Sequence, residues 1–286
     1  MDLLAYALQV LTVIVAPLVV GLAMGMDRKI TARMQNRRGP PVLQPFYDVG
    51  KLLSKRPMLL SELQATFAGA ALLFHAAALA LFVSGSDLLV TFFVSGTGSV
   101  CLVMGAFSAR SPYSFIGGQR ELLAILAYEP VLFLVVLSIG MRSSFLVGDI
   151  QGGLLHDLPL VLLALVPVLV VLLEKSPFDV PTAHQEIISG PYVEYSGPYL
   201  AILEVARWFQ LAFVFGMVTL FFWSGDAVIS IAGKLALAFA ALFATIVIDN
   251  ASARLTRENM VSFMLIAGIG LVAINLLVLF ILKGSI

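Results

Sequence analysis

Apolar residues occur in long uninterrupted stretches along this chain, and short polar or charged connections separate the stretches. A helix that crosses a bilayer needs about 20 mostly apolar residues. The pattern predicts eight such helices, the fifth of them short, at Leu3–Met26, Ala65–Val83, Leu88–Phe107, Glu121–Met141, Leu158–Leu173, Leu200–Trp223, Val228–Ile248 and Met260–Leu282. We therefore expect an all-α integral membrane protein, a single polytopic membrane domain over residues 1–286 with about eight transmembrane helices.

The segment Pro41–Lys55 shows a different pattern. Apolar side chains recur there at i, i+4, i+7 and i+11 (Val42, Phe46, Val49 and Leu53), with polar residues between them. An amphipathic helix that is too short to span lies in the membrane interface. The pattern is typical of a surface anchor and equally of a docking ledge or gate for a cytoplasmic partner.

Composition supports the membrane assignment. The 286 residues are 60% hydrophobic and 12% charged, whereas soluble domains carry about 25% charged residues. The formal net charge is zero, which gives no indication of a nucleic-acid partner.

The basic residues are distributed unevenly between the two sides of the predicted bundle. Of the 17 Lys and Arg residues, 13 lie in the odd-numbered connections, 2 on the opposite side and 2 within spans. Because basic flanks stay in the cytoplasm, this bias predicts cytoplasmic odd-numbered connections, with both termini outside the cell membrane.

The residues that bind metals are sparse. The single cysteine, Cys101, cannot hold an iron–sulfur cluster, and the three histidines are far apart with no metal-ligand spacing. We expect no cofactor in this chain, and we interpret Cys101 as a small buried hydrophobe.

Carboxylates near or within the membrane are the candidate chemistry. An ionisable group in hydrocarbon is costly and usually faces a cavity or a partner. Glu129 lies in the fourth predicted span, where it either marks a pathway or is a structural carboxylate paired with another group. The fifth connection and the start of the sixth span carry Glu174, Asp179, His184, Glu186, Glu194, Glu204 and Arg207.

The fifth connection is also interrupted by prolines and glycines, yet it is too apolar for a freely solvated loop. Broken backbone at membrane depth is tolerated only where it packs in protein or lines a wet cavity. The negative charges of clustered carboxylates repel one another, which raises the pKa of some of these groups toward neutrality. Such a cluster is therefore a candidate proton carrier.

Several ordered motifs resemble the NADH dehydrogenase subunit 1 family of respiratory complex I, whose members join the peripheral arm to the membrane arm of NADH:quinone oxidoreductase. The first connection matches in Asp27–Pro40, Leu43–Pro45 and Lys51–Leu53. The fifth connection matches in Ser176–Pro181, Glu186 and Val193–Gly197, and Arg120 and Tyr128–Glu129 match the third loop and fourth helix.

Departures from the complex I pattern indicate the membrane-bound [NiFe] hydrogenase branch, which includes Ech-type, hydrogenase-4 and formate hydrogenlyase complexes. Members of complex I usually have Glu in place of Asp27 and further acids in place of Thr182 and His184. The segments Asn36–Asp48 and Asp249–Leu255 are more similar to the hydrogenase branch.

The resemblance implies an anchor and coupling subunit of an energy-converting hydrogenase. This subunit is not itself redox-active, and the complex links proton reduction to hydrogen with H⁺ or Na⁺ translocation. Its implied partners are the hydrogenase small and large subunits, an iron–sulfur subunit and antiporter-like membrane subunits, with the [NiFe] centre and iron–sulfur clusters in those partners. A quinone-chamber subunit of complex I is the alternative, and a stand-alone secondary transporter is a distant one.

The resemblance also implies roles for individual residues. The proposed proton-relay residues are Glu129, Glu186, Glu194 and Glu204, with Asp179 and His184 near the entrance and Arg120 tuning their charge. The proposed partner-docking residues are Arg28, Arg33, Arg37, Arg38, Gln44 and Asp48.

Overall fold

The protein is a bundle of helices that begin and end mostly where the apolar pattern changes. The computed structural model describes residues 3–58, 61–150, 152 and 154–283. In these ranges the α-helices are α1 (Leu3–Met34), α2 (Gln44–Leu53), α3 (Glu62–Val83), α4 (Leu88–Ser108), α5 (Pro112–Arg142), α6 (Leu154–Asp157), α7 (Pro159–Leu172), α8 (His184–Ile187), α9 (Pro198–Thr219), α10 (Ala227–Ala251), α11 (Arg257–Phe263) and α12 (Gly270–Lys283). A π-helix, Met264–Ile269, joins α11 to α12, and Val147–Asp149 and Gly190–Tyr192 form 3₁₀ turns.

The all-α membrane architecture is confirmed. Seven helical segments of the described chain are long and apolar enough to cross a bilayer, namely α1, α3, α4, α5, α9, α10 and the continuous stretch from α11 into α12. The remaining predicted span, the fifth at Leu158–Leu173, is α7, which has only 14 residues. At 1.5 Å per residue it is about 21 Å long, shorter than the hydrocarbon core.

The short helix α7 lies at the centre of the bundle. Val168, Leu169, Val170 and Val171 make up one full turn near its end, and all four are buried. A helix that is apolar all round is stable when protein surrounds it. The irregular segments at its two ends therefore meet protein rather than lipid, which backbone polar groups require.

Two helices extend further than the hydropathy pattern predicts. Helix α1 continues past Met26 to Met34, and the chain then turns at Asn36, whose φ is 54°. Helix α5 begins at Pro112 rather than Glu121, with Ser111 as its N-cap residue. Proline suits the first helical position, because the N–H that it lacks would be unpaired there.

The predicted amphipathic helix is α2, which packs against α1 and α9. The ring of Phe46 lies edge-on to Trp208 of α9, with 5.1 Å between centroids. Helix α1 approaches so closely that a Cβ at Gly25 would lie 1.8 Å from the carbonyl oxygen of Val42. Close packing thus fixes α2 along the bundle.

The odd-numbered connections meet at one end of the bundle, which we call the basic face. The backbone N–H of Leu255 donates to the carbonyl of Pro177 (3.1 Å), which joins the seventh connection to the fifth. A Cβ at Gly197 would lie 2.9 Å from the carbonyl oxygen of Arg56, so the first connection also touches the fifth. The even-numbered connections pair at the opposite end, where the N–H of Leu88 donates to Phe145.

Candidate functional site

The fifth connection, residues 173–197, folds back into the bundle at the basic face. Ion pairs of Lys175 anchor its first residues. The Lys175 Nζ lies 2.8 Å from an oxygen of Asp27 on α1 and 2.9 Å from one of Asp249 on α10. The second oxygen of Asp249 accepts from the N–H of Ser176 (3.1 Å). One buried cation therefore ties two helices to the segment, and its charge is balanced by two carboxylates.

A second buried ion pair lies where α7 ends. Arg207 of α9 donates from Nε and Nη2 to the carbonyl of Leu172 (3.2 and 3.1 Å), and its Nη1 lies 3.2 Å from Glu174. The last carbonyls of a helix have no partner within the helix, and a cation there is favourable. Arg207 thus ends α7 and positions the carboxylate of Glu174 inside the protein.

Helix α5 packs against the fifth connection through backbone contact. A Cβ at Gly117 would lie 2.2 Å from the backbone carbon of Gly190, a residue whose own φ is 56°. One turn further on, Arg120 lies 2.6 Å from Glu186 and donates to the carbonyl of Val180 (3.4 Å). The side chain of Arg120 is 13% exposed and that of Glu186 is 60% exposed, so this pair lies at the rim.

Three adjoining cavities lead inward from the basic face. The outer cavity, of about 200 Å³, is lined by Asp27, Arg28, Glu174, Asp179, Thr182 and Arg207. The central cavity, of about 30 Å³, shares Glu174 and Arg207 with it and adds Glu121, Tyr192, Tyr128, Ser99, His75 and Gln210. The inner cavity, of about 10 Å³, shares Ser99, Tyr128 and Gln210 and adds Ser95, Gly96 and Glu129.

At about 10–15 Å³ for each water, the outer cavity has room for more than ten waters, the central cavity for two or three and the inner cavity for about one. Each cavity shares polar side chains with the next, so polar and ionisable side chains line all three from Asp179 to Glu129. Hydrogen-bonded side chains and water in such a row can conduct protons.

The central cavity has a compact hydrogen-bonded cluster. Tyr128 donates to Ser99 Oγ (3.2 Å), and the amide nitrogen of Gln210 donates to Ser99 (3.0 Å) and to the Tyr128 hydroxyl (3.3 Å). At the outer end of this cavity, burial beside Glu174 and Glu121 raises the pKa of Tyr192 well above its ordinary value. Tyr192 therefore keeps its hydroxyl proton at neutral pH.

Glu129 lies at the inner end, where α4 makes room for it. A Cβ at Gly96 would lie 3.0 Å from Glu129 Oε1, so the glycine provides the space that the carboxylate occupies. Apolar neighbours from three helices close this cavity, including Phe92, Leu132 and Val214. The polar side chains that line the same cavity are those of Ser95, Ser99, Tyr128 and Gln210.

The predicted relay residues are distributed over the whole site. Asp179 and Glu129 line the outer and inner cavities, and Asp179 also lies 2.5 Å from Arg254. Arg120 and Glu186 form the pair at the rim. Glu204 lies one turn before Arg207, and the charges of both Arg207 and Arg28 act on it.

Of the predicted relay residues whose side chains the structure describes, only Asp179 and Glu129 line the three cavities; Arg120, Glu186, Glu194 and Glu204 line none of them. Glu194 is half-buried in the fifth connection and forms no ion pair with another described residue. The side chain of His184 lies outside the described part of the structure, although its backbone begins α8.

Sequence reasoning missed Glu121 as a site residue. It placed Glu121 at the first residue of the fourth span and assigned it no role, whereas α5 starts nine residues earlier at Pro112. Glu121 therefore lies inside the protein, where it lines the central cavity. The sequence Ser111–Pro112 was the signal for the earlier start, because proline is common at the first helical position.

The proposed docking residues occupy the surface around α2. Arg28 lies 3.0 Å from Asp48, and Gln44 donates to the other oxygen of Asp48 (2.7 Å), so these three side chains join α1 to α2. Arg33, Arg37 and Arg38 are exposed. Within the described ranges, no group of three or more His, Cys, Asp and Glu side chains could hold a metal ion.

Comparisons with known proteins agree with this architecture. The family model described as "NADH dehydrogenase" matches residues 7–280. "Hydrogenase-4 component C" of Escherichia coli (strain K12) is 30% identical over 203 residues, 64% of this chain and 64% of the relative. "NADH-ubiquinone oxidoreductase chain 1" of Mytilus edulis is 29% identical over 273 residues, 86% of this chain and 88% of the relative.

A solved structure is similar over nearly the whole chain. It is a chain of the "membrane-bound sulfane sulfur reductase (MBS), an archaeal respiratory membrane complex", with a TM-score of 0.84 and 26% identity, covering 96% of this chain and 99% of that one. These relatives support the hydrogenase-related branch, and the extent of the family match shows that the chain belongs to the NADH dehydrogenase family, which includes NADH dehydrogenase subunit 1 of complex I.

Proposed function

We propose that this chain is the membrane anchor and coupling subunit of an energy-converting [NiFe] hydrogenase complex. The observation that carries the proposal is the series of three adjoining cavities, lined by polar and ionisable side chains, between the basic face and Glu129. A passive anchor gains nothing from carboxylates placed inside hydrocarbon, because each of them is costly there. The relationship to hydrogenase-4 component C favours the hydrogenase branch.

In this proposal the outer cavity receives protons from the cytoplasmic side. Asp179 and Glu174 accept them, and Glu121 and Glu129 carry them inward through the central and inner cavities. Arg207 keeps the carboxylate of Glu174 in place through its ion pair and its bonds to Leu172.

Coupling would occur at the fifth connection. Arg120 and Glu186 link this segment to α5 at the rim, where Glu186 is open to a cytoplasmic partner. A partner subunit that moves Glu186 therefore also moves Arg120 and the loop that carries Glu174. In this proposal the [NiFe] centre and the iron–sulfur clusters of the electron path belong to partner subunits. The exposed side chains of Arg33, Arg37 and Arg38 would contact those subunits.

The quinone-chamber subunit of complex I is the second candidate, because the Mytilus relative is nearly as identical to this chain as the hydrogenase relative and matches more of its length. The metal content of the intact purified complex separates the two candidates. Nickel supports the hydrogenase assignment, whereas flavin with NADH oxidation supports complex I. A nickel-free complex that reduces sulfane sulfur would favour the activity of the structural neighbour instead.

The relay itself is tested with Glu129→Gln in the intact complex. Glutamine keeps the size and most hydrogen bonding of the side chain but does not exchange protons, so ion uptake into proteoliposomes per assembled complex should fall by about tenfold or more. The matched control is Glu62→Gln, which changes an exposed carboxylate at the start of α3. Uptake at the wild-type level in Glu129→Gln would remove Glu129 from the path.

A further inference from the structure

His75 is a buried histidine of α3 that lines the central cavity and is hydrogen-bonded to a residue of the inner cavity. Its ring lines the central cavity. Its Nδ1 lies 3.4 Å from Ser95 Oγ, and Ser95 lines the inner cavity together with Glu129. One imidazole therefore connects the two compartments through a single hydrogen bond.

Helix α4 leaves space for this ring. A Cβ at Gly98 would lie 2.8 Å from both Cε1 and Nε2 of His75, closer than side-chain carbons pack. Two residues earlier, Gly96 provides the space for Glu129 in the same manner. The imidazole and the carboxylate thus both lie against the backbone of α4, with Ser95 beside them.

Ser99, Tyr128 and Gln210 also line both cavities, and Tyr128 bonds directly to Ser99, but the amide of Gln210 cannot carry a proton itself. Gln210 donates its amide protons to both Ser99 and Tyr128, and an amide nitrogen has no free lone pair with which to accept a proton. Gln210 therefore orients the two hydroxyls but cannot pass a proton between them. An imidazole can accept a proton at one nitrogen and release one from the other.

We propose that His75 carries protons between the central cavity and Glu129, with Ser95 as the link. The step is a proton transfer without electron movement. One ring nitrogen takes a proton from water in the central cavity, Nδ1 releases one to Ser95 Oγ, and the Ser95 hydroxyl proton passes to water beside Glu129. One proton enters and one leaves, and reorientation of the neutral ring restores the starting tautomer.

The charged groups that face His75 across the central cavity are Glu121, Glu174 and Arg207. Arg207 and Glu174 neutralise each other at 3.2 Å, so Glu121 is the carboxylate that would supply the proton. The inference rests on the proposed function, because it assigns an additional relay residue to the same path.

The test uses the intact complex in proteoliposomes with ion uptake measured per assembled complex. His75→Asn keeps a polar group near Ser95 but cannot relay, so uptake should fall by about tenfold. Ser95→Ala should lower uptake several-fold in the same direction. The controls are His156→Asn, at an exposed position near the opposite face, and Ser138→Ala, which removes a hydroxyl that bonds only within its own helix.

Imidazole supplies a readout that a purely structural role would not change. His75→Ala opens the space of the ring beside the central cavity, and added imidazole should restore uptake in His75→Ala but not in Glu129→Gln. The result that overturns the inference is wild-type uptake in His75→Asn together with lost uptake in Glu129→Gln. Wild-type uptake in both variants overturns the proposed function as well. If the His75 variants do not assemble, the test is ion uptake in Ser95→Ala. Normal uptake refutes proton transfer through Ser95, and reduced uptake supports it.

Discussion

The contact between Gly117 of α5 and Gly190 of the fifth connection yields a quantitative prediction about stability. In Gly117→Ala the new methyl carbon would lie 2.2 Å from the backbone carbon of Gly190 and 2.6 Å from its Cα. Ordinary carbon contacts are about 3.5–4.0 Å, so more than 1 Å of overlap must be relieved. The obstacle is backbone, which cannot change rotamer, and α5 and the loop must therefore separate.

The size of the effect follows from two opposing contributions. Overpacking of a closely packed site costs about 1–3 kcal/mol, and a backbone obstacle places this case at the upper end. Alanine is more favourable than glycine within a helix by about 0.5–1 kcal/mol, which offsets part of the cost. The net expectation is a loss of about 2 kcal/mol, equivalent to a fall in Tm of about 4–8 °C for a domain of this size.

The assay is thermal unfolding of the intact complex in detergent, followed by the solubility of this subunit. The matched control is Gly69→Ala in α3, because a Cβ there meets nothing within 4 Å. Gly69→Ala should leave the Tm unchanged or raise it slightly. Equal Tm values for the two variants would refute the inference that α5 and the fifth connection are packed backbone to backbone.

Two further predictions concern the opposite face and the orientation of the chain. The side chain of Asn275 accepts from the N–H of Leu160 and donates to the carbonyl of Asp157, both at 2.8 Å. A hydrogen bond within a membrane contributes about 0.6–1.7 kcal/mol, so Asn275→Leu, which removes both, should destabilise the complex by about 1–3 kcal/mol. Its thermal transition is compared with that of Ser138→Ala, and an unchanged Tm would contradict the capping role. For orientation, Ser54→Cys in a Cys101→Ser background should be protected from an impermeant thiol reagent in intact cells, because the basic face is expected in the cytoplasm. Labelling from outside would show that the orientation is the opposite one.

The apolar pattern alone was sufficient to predict the approximate positions of the seven long spans and of the shorter helix α7, because a bilayer imposes the same length and polarity requirement on every crossing segment. It also predicted α2 correctly. The helical period at Val42, Phe46 and Val49 places these side chains on one apolar face, and this pattern does not depend on which other helices pack nearby. The clustering of basic residues in the odd-numbered connections likewise needed no structure. These properties depend on residues that are near one another in sequence.

The depth and pairing of the ionisable groups required the tertiary structure. Lys175 lies between Asp27 and Asp249, residues about 150 and 75 positions away along the chain, and no local pattern relates them. The connection from His75 to Glu129 through Ser95 depends on how closely α3, α4 and α5 approach one another. Hydropathy depends on short segments of sequence, whereas a proton path depends on which side chains from distant segments face the same cavity, and only the packing of the bundle decides that.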